Sequence, residues 1–225
     1  MHFAAYASVP DSVIHPNIYY ENNVSNFITL LDTALKYNIK NFIFSSSAAV
    51  YGDKGSLFTE NNLKEPINPY GYTKLVGEHI LQDYHKAFGL NYCTFRYFCA
   101  AGASKSQNIG EAHKNETHVI PVLINKALNN EPFYIFGNDY QTNDGTCERD
   151  FIHVLDIVEA HRLALEQMFN NDGYAEVYNL GSEKGYSIYE LIKVASEVLN
   201  KNIQYEIKPR RPGDPATLIA NSHKA

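Results

Sequence analysis

The sequence predicts an α/β fold built on a doubly wound parallel sheet, and three observations support this. Short runs of β-branched and aromatic residues alternate with longer segments of helical periodicity, which is the pattern of βαβ units. The 225 residues are 44% apolar and 13% aromatic, which suffices for a substantial core. The length equals about one and a half typical domains, so we expect one large domain or a complete domain with a partial one.

The elements can be placed in chain order from their periodicity. Strands are predicted at residues 41–46, 92–98 and 133–136, where apolar runs indicate buried positions of a parallel sheet. Helices are predicted at 20–37, 70–88, 120–128, 154–168 and 188–199, where apolar residues recur three and four apart. Ser187 and Glu190 form a capping-box signature at the start of the last helix. The loops at 101–117 and 137–149 are long, and long loops in α/β proteins usually carry function.

Composition excludes several classes of protein. The net charge is -6, with 19 basic against 25 acidic residues and no basic stripe, so we expect no nucleic-acid partner. No apolar run reaches the length of about 18 residues that spans a bilayer, and the first residues lack a signal-peptide pattern, so we expect no membrane partner. Three scattered cysteines predict no disulfide framework and a cytoplasmic location. The histidines show no metal-binding spacing, so no metal is expected.

Tyr70 and Lys74 in the segment PYGYTK are the first candidates for chemistry. Residues four apart share one face of a helix, so the lysine ammonium can approach whatever the tyrosine contacts. A nearby cation favours the phenolate and lowers the pKa of a tyrosine from about 10, which makes the pair a candidate acid/base device. The alternative is a tyrosine on a helix surface above a solvated lysine.

Three serines, Ser45, Ser46 and Ser47, follow the predicted strand at 41–46. Ligands bind open α/β sheets outside the carboxyl ends of the strands, so these hydroxyls can meet Tyr70 at a site. An ordinary turn is the alternative, because serine also favours turns.

These residues belong to a set of segments that resembles the extended short-chain dehydrogenase/reductase family, and within it the UDP-glucose 4-epimerases (UDP-galactose 4-epimerases). The matching segments are HFAA, YYENNV, KNFIFSSSAAVYGD, PYGYTKL, RYFCAAGA, ETHVIP, IFGNDYQTNDGTCERDFIHVLDIVEAH, YNLGS and RRPGD. The resemblance implies a partial Rossmann-type sheet that lacks its first strands, with a smaller interleaved substrate-binding lobe. Residues 1–100 would be the C-terminal part of the NAD-binding domain. Residues 101–225 would form mainly the UDP-sugar lobe, with 133–165 and 177–181 returning to the sheet.

Position by position, the resemblance implies that Tyr70 is the catalytic base. Lys74 would lower its pKa and bind the nicotinamide ribose, and Ser47 would polarise the sugar oxygen. The implied cofactor is NAD, with contacts from Phe3, Ala4, Ala5, Asn22, Ser45, Tyr70, Lys74 and Phe98.

The resemblance also implies a set of UDP-sugar ligands. They are Ser47, Tyr70, Cys99, His118, Val119, Tyr134, Phe136, Arg149, Arg211 and Asp214. Arg149 and Arg211 would anchor the diphosphate and a ribose, because guanidinium groups grip phosphate oxygens through paired charge-assisted bonds. Asp214 would accept from a ribose hydroxyl. Without the resemblance, a surface ion pair is the preferred interpretation of Arg149 and Asp150, and Phe98 and Phe136 are interpreted as core residues.

The implied reaction interconverts UDP-glucose and UDP-galactose by oxidation at C4, rotation of the 4-keto sugar and re-reduction. Ala48 and Ala49 stand where related dehydratases carry an acid, which favours epimerisation. Cys99 stands where the family commonly has an asparagine, so one phosphate contact is expected to be weak. Leu218 leaves the choice between hexose and N-acetylhexosamine open. The alternative enzyme is a UDP-pentose 4-epimerase acting on UDP-arabinose and UDP-xylose.

The 13 glycines supply no Gly-x-x-Gly-x-x-Gly turn of the kind that holds the NAD pyrophosphate at a helix N-terminus. Roughly 75 N-terminal residues, or two βαβ units, are therefore expected to be absent, together with the closing C-terminal helices. We expect either a fragment of an active epimerase or a non-catalytic remnant, and no turnover by the isolated chain. By resemblance, helices 20–37 and 70–88 would form a homodimer contact in the full-length protein.

Overall fold

The computed structural model describes residues 1–225. The helices are α1 (Val9–Ile14), α2 (Pro16–Tyr20), α3 (Asn26–Lys36), α4 (Pro69–Phe88), α5 (Val119–Leu128), α6 (Val154–Asn170) and α7 (Ile188–Leu199). The longer strands are β1 (Asn41–Ser47), β3 (Asn91–Tyr97), β5 (Phe133–Phe136), β6 (Glu148–His153), β7 (Ala175–Leu180), β9 (Tyr205–Lys208) and β10 (Thr217–Ala220). The short strands are β2 (Leu57–Phe58), β4 (Cys99–Ala101) and β8 (Gly185–Ser187).

The main sheet has three parallel strands in the order β1-β3-β7. His2 adds a parallel bridge to Phe44 on the free side of β1. Both faces of the sheet are covered, because Phe27 of α3 and Leu81 of α4 pack on one face and Ile157 of α6 packs on the other. A parallel sheet buried on both faces by helices is the predicted doubly wound α/β architecture, which the structure confirms.

The helix predicted at 20–37 is interrupted. A π-helical turn spans Glu21–Ser25 between α2 and α3. The turn carries the buried Asn23, whose amide donates to the carbonyl of Tyr6 at 2.9 Å and to the hydroxyl of Thr73 at 3.2 Å. Periodicity predicted one regular helix here, but the extra residue of the turn brings this amide into contact with two other segments, and π turns are frequent at functional sites.

The second half builds two further sheets. One follows the order β2-β10-β6-β4 with β8 paired to β6, and the other pairs β5 with β9. Phe133 and Ile135 of β5 pack with Leu123 of α5 and Ile192 of α7 in a separate apolar core, so β5 does not join the main sheet.

We expected residues 133–165 to return to the main sheet. Within this range only the part that belongs to α6 packs against that sheet, so the expectation is corrected. Residues 177–180 do join it, as part of β7. Most of the strands of the second half are short or only partly apolar, so their periodicity did not predict them. The division of the chain near residue 100 stays a prediction. None of the helices combines the length and the apolar character that a bilayer crossing requires.

Candidate active site

The end of β1 and the start of α4 meet at one edge of the main sheet. Asn68 caps α4 by accepting a 2.8 Å hydrogen bond from the backbone N–H of Gly71, and Pro69 occupies the first helical position. A Cβ at Gly71 would lie 2.4 Å from the carbonyl oxygen of Ala49. The missing side chain thus lets α4 approach the turn after β1, which places Tyr70 beside Ser47.

Tyr70 and Ser47 lie next to each other at this edge, and their catalytic roles stay predictions. The Ser47 hydroxyl accepts from the backbone N–H of Ala49 at 3.2 Å, and both Ser47 and Tyr70 line the same pocket. Burial raises the pKa of Tyr70, and the neighbouring Ser47 hydroxyl offsets this only in part. Lys74 is not among the causes of this shift, and its role in lowering the pKa of Tyr70 stays a prediction.

Lys74 is buried, with 5% of its surface exposed, and its Nζ donates a 2.6 Å hydrogen bond to the carbonyl oxygen of Ser45. Nζ lies 5.8 Å from the ring centroid of Tyr70. Burial lowers the pKa of Lys74 to about 8, against the opposing effect of Glu78 one helical turn further on. An ammonium has three donors, and Ser45 takes one, so two remain for a ligand that enters between Lys74 and Tyr70.

A pocket opens directly beside Tyr70. Of the predicted residues, it brings together Ser47, Tyr70, Phe98, Cys99, Arg149 and Asp214. Ala48, Ala49 and Leu218 line the same pocket. One guanidinium nitrogen of Arg149 donates to backbone carbonyls, and the shorter of these bonds goes to Glu148 O at 2.9 Å. Burial raises the pKa of the Cys99 thiol to about 11, so this pocket residue is neutral at pH 7.

Three other predicted substrate residues form a cationic and aromatic patch outside the residues that line the pocket. The Arg211 guanidinium carbon lies 3.7 Å from the ring centroid of Phe136. Tyr134, two residues earlier on the same face of β5, has the Lys208 ammonium 4.6 Å from its centroid. Such a surface suits a planar, negatively charged ligand, because it offers ring faces beside positive charge.

The remaining predicted residues lie apart from the pocket. Phe3 is exposed and packs against His161, with 5.1 Å between ring centroids, and Ala4 and Ala5 follow it. Asn22 lies in the π turn and donates to Asn23 at 2.9 Å. Ser45 is buried beneath the pocket, where its hydroxyl meets Tyr97 at 3.1 Å.

His118 and Val119 lie at the start of α5, and neither lines the pocket. His118 pairs with the carboxylates of Glu111 and Glu116. Together with His113, it and Glu111 place ligand-type atoms within 4.8 Å of one another, although sequence spacing indicated no metal site. All three are exposed, and such clusters of ion pairs are common on surfaces without a metal.

Sequence reasoning missed several residues that shape the site. Asp150 is fully buried and accepts from the backbone N–H groups of Ser182, Glu183 and Ala220 at 2.6 to 3.0 Å, so it is not part of a surface ion pair. Tyr97 lines the pocket and bonds His161 at 3.0 Å. The sequence signal that could have identified Tyr97 as a pocket residue was its position in RYF, directly before Phe98. No sequence signal indicated that Glu78 and Arg96 are buried, because charged residues are usually expected to be exposed.

This fold and site define a recognised class. The family model described as "NAD dependent epimerase/dehydratase family" matches residues 1–181, and the chain belongs to this family.

Within the family, the chain is similar to proteins named UDP-glucose 4-epimerase. It is 47% identical to that of Halalkalibacterium halodurans over 227 residues, which is all of this chain and 68% of the relative. The crystal structure of the Brucella ovis UDP-glucose 4-epimerase in complex with NAD superposes with a TM-score of 0.93 at 42% identity, covering 100% of this chain and 69% of that one. The Bifidobacterium longum UDP-glucose 4-epimerase in complex with NAD+ and UDP gives a TM-score of 0.94 at 39% identity, covering 99% and 68%.

Proposed function

We propose that this chain carries the catalytic and substrate-binding part of a UDP-glucose 4-epimerase that uses NAD to interconvert UDP-glucose and UDP-galactose. The observation that carries the proposal is that Tyr70, Ser47 and Arg149 line one pocket. A proton acceptor and a phosphate-binding cation face one cavity, and the similar proteins are named for this reaction.

NAD fits the nicotinamide side of this site. Lys74 is a buried ammonium with one protein acceptor, and ribose hydroxyls would occupy its two free donors. When bound, NAD supplies the acceptance and return of hydride at C4 of the sugar. Phe3, Ala4, Ala5, Asn22, Ser45 and Phe98 would complete its contacts.

Tyr70 would take the proton of the sugar 4-hydroxyl and return it to the same oxygen. The Ser47 hydroxyl would donate a hydrogen bond to the phenolate and so stabilise it. In the ligand-free structure burial raises the pKa of Tyr70, so the phenol is protonated at neutral pH. A positive charge brought close to Tyr70 by ligand binding, from Lys74 and the cofactor itself, would favour the phenolate and make it a base.

The reaction requires the 4-keto sugar to rotate within the site. Firm binding of the nucleotide, with the sugar held loosely, suits this requirement. Arg149 and Asp214 would hold the diphosphate and a ribose hydroxyl inside the pocket. Arg211 over Phe136, with Tyr134, would receive the base and its ribose at the cationic and aromatic patch. Ala48 and Ala49 leave the sugar end without a charged group. His118 and Val119 would reach the diphosphate only if the start of α5 moved towards it.

Two further parts of the proposal concern the whole protein. Exposed apolar side chains on α2, α3 and α4, namely Tyr20, Ile28, Leu30, Tyr72 and Phe88, support a homodimer through these helices. Three free cysteines without any disulfide support a cytoplasmic location.

The test has a binding arm and a turnover arm. Calorimetry measures UDP binding to the 225-residue chain, which we expect to be detectable because Arg149 and Asp214 both line the pocket in it. Turnover is measured in the chain and in a chimera that places the glycine-rich NAD-binding segment of a relative ahead of Met1. We expect conversion of UDP-galactose by the chimera, and a loss of about 10²- to 10⁴-fold in Tyr70→Phe.

Tyr72→Phe is the matched control, because Tyr72 lies two residues further along α4 and is 49% exposed. It should keep full activity. A panel with UDP-N-acetylglucosamine and UDP-xylose decides the substrate, since Leu218 lines the pocket. A chimera that binds NAD and UDP but converts no UDP-sugar at C4 would overturn the proposed function.

A further inference from the structure

A buried ion pair lies directly behind the candidate catalytic residues. The guanidinium of Arg96 on β3 grips the carboxylate of Glu78 on α4 through two bonds, Nε to Oε1 at 3.0 Å and Nη2 to Oε2 at 2.6 Å. The side chains of Arg96 and Glu78 are only 4% and 2% exposed. The pair therefore lies in the interior of the fold, on none of the surfaces assigned to a ligand.

The pair belongs to a larger polar network. The other guanidinium nitrogen of Arg96 donates to the Tyr51 hydroxyl at 2.8 Å and to the Glu60 carbonyl at 3.1 Å. Tyr51 in turn donates to the amide oxygen of Asn179 on β7 at 2.6 Å. One network thus links the central strand β3 to α4, to β7 and to the segment that follows β1.

The network reaches the catalytic edge through Ser46. The Ser46 hydroxyl donates a 2.5 Å bond to Oε1 of Glu78. Ser46 stands between Ser45, whose carbonyl holds Lys74, and Ser47, which lines the pocket together with Tyr70. Side chains alternate along a strand, so Ser46 is directed to Glu78 while the flanking serines serve the site. The carboxylate thereby joins β1 to α4 at the residue between the two catalytic contacts.

Stability alone explains this arrangement poorly. Removing two charges from water is unfavourable, and well-packed apolar residues often replace a buried ion pair with no loss of stability. A fully hydrogen-bonded polar network, in contrast, selects one geometry, because a shifted strand would leave buried charges without partners.

We propose that Glu78 and Arg96 are positioning residues for Tyr70, Lys74 and Ser47, acting by holding the end of β1 in one register against α4. The pair touches no substrate or cofactor atom in this assignment. The inference rests on the proposed function for its catalytic meaning, but the geometry it describes is testable in the chain without any ligand.

The titration midpoint of Lys74 is a readout that depends on the charges around it. A pair with a merely structural role would leave this midpoint unchanged. The titratable groups around Lys74 are His2 beside β1 and Tyr70 and Glu78 on α4, and Glu78 is in turn paired with Arg96 on β3. Glu78 raises the pKa of Lys74, opposing its burial. Arg96 pairs with the same carboxylate, and its positive charge would act on Lys74 in the opposite direction to that of Glu78.

The experiment follows the titration of Lys74 by NMR in the 225-residue chain carrying ¹³C-labelled lysine, with Lys74→Met used to assign the signal. Glu78→Gln should shift the midpoint to lower pH by about one unit, because a favourable charge is lost. Arg96→Met should shift it to higher pH, because Glu78 is then unneutralised. The double variant Glu78→Met/Arg96→Met removes both charges and keeps the interior apolar in case a single variant fails to fold.

The matched control is the exposed pair of Arg162 and Glu159 on α6, removed by the same substitutions. It should leave the Lys74 midpoint unchanged. In the chimera, the double variant should lose at least about tenfold in kcat while KM for the UDP-sugar changes less than about twofold. An unmoved Lys74 midpoint in Glu78→Gln, or full kcat in the double variant, would overturn the positioning role. If the unsubstituted chimera has no epimerase activity, the proposed function fails, whereas the titration still decides whether Glu78 acts on Lys74.

Discussion

The ammonium of Lys74 donates a 2.6 Å hydrogen bond to the carbonyl oxygen of Ser45, whereas it lies 5.8 Å from the ring centroid of Tyr70. The backbone of β1, and not the tyrosine, therefore holds this lysine in the ligand-free protein. The arrangement leaves two ammonium donors free at the edge where ligands bind a parallel sheet. It also places a charge in the interior, with consequences for stability.

Replacement of Lys74 by methionine should stabilise the fold at neutral pH. The folded state lowers the pKa of Lys74 from 10.5 to about 8, so below pH 8 the protein carries a buried charge that costs about 3 kcal/mol. The lost bond to Ser45 offsets about 1 kcal/mol, which leaves a net gain of about 2 kcal/mol in the free energy of unfolding at pH 7. Urea unfolding measures this gain.

The same substitution predicts a difference in pH dependence. Between pH 8 and 10.5 the unfolded chain binds a proton at this lysine that the folded chain does not, so the stability of the unsubstituted protein rises with pH. The stability of Lys74→Met does not rise in this way, so its gain in the free energy of unfolding over the unsubstituted protein disappears towards pH 10.5. Lys86→Met on the exposed side of α4 is the control and should change neither value. Parallel stability curves for the protein and Lys74→Met would contradict the prediction.

Gly71→Ala should separate α4 from the turn after β1. The added Cβ would lie 2.4 Å from the Ala49 carbonyl oxygen, so helix and turn must move apart. We expect a loss of about 2 kcal/mol in the free energy of unfolding, measured with urea, and a weaker Tyr70–Ser47 contact. Gly110→Ala is the control, because its nearest neighbour would be a side-chain carbon of Ala103 at 3.4 Å. Equal stability of the two variants would show that the close approach is not required.

Arg149→Met should weaken UDP binding by about 10- to 100-fold, because a charge-assisted bond to a diphosphate contributes about 1.5 to 3 kcal/mol. Arg149 lines the pocket beside Asp214, and most of its donors are free. Isothermal titration calorimetry with UDP measures the change. Arg162→Met removes an exposed arginine of α6 and should leave the affinity unchanged. An unaltered affinity in Arg149→Met would exclude the pocket as the diphosphate site.

Cys99→Asn should tighten UDP binding by up to about tenfold. The buried thiol is a weak donor, whereas an asparagine amide at the same pocket position offers two N–H groups to a phosphate, worth about 1 kcal/mol. The dissociation constant for UDP is again the measured quantity. Cys99→Ala separates the gain of the amide from the loss of the thiol and should bind UDP like the parent. Unchanged or weaker binding by Cys99→Asn would place the diphosphate away from β4.

The helices and strands around the catalytic edge could be predicted because local signals agree there. The structure has α4 at Pro69–Phe88 and α7 at Ile188–Leu199, against predictions of 70–88 and 188–199, and the Ser187–Glu190 capping box is formed as predicted. The second half is different. Its strands are short and partly exposed, and β5 pairs with β9, some 70 residues away, so no periodicity within either strand indicates the partner.

What the sequence determined by itself is the class of fold and the residue types of the site. Alternating strands and helices predict a parallel sheet. Tyr70 and Lys74 are recognisable because they lie four residues apart, and Ser47 because it directly follows a predicted strand. Only the tertiary structure decided where each charge lies. It buried Glu78 against Arg96, turned Lys74 towards Ser45 and separated His118 and Val119 from the pocket. The physical reason is that burial and ion pairing depend on contacts between residues that are far apart in the chain, and a linear pattern does not contain those contacts.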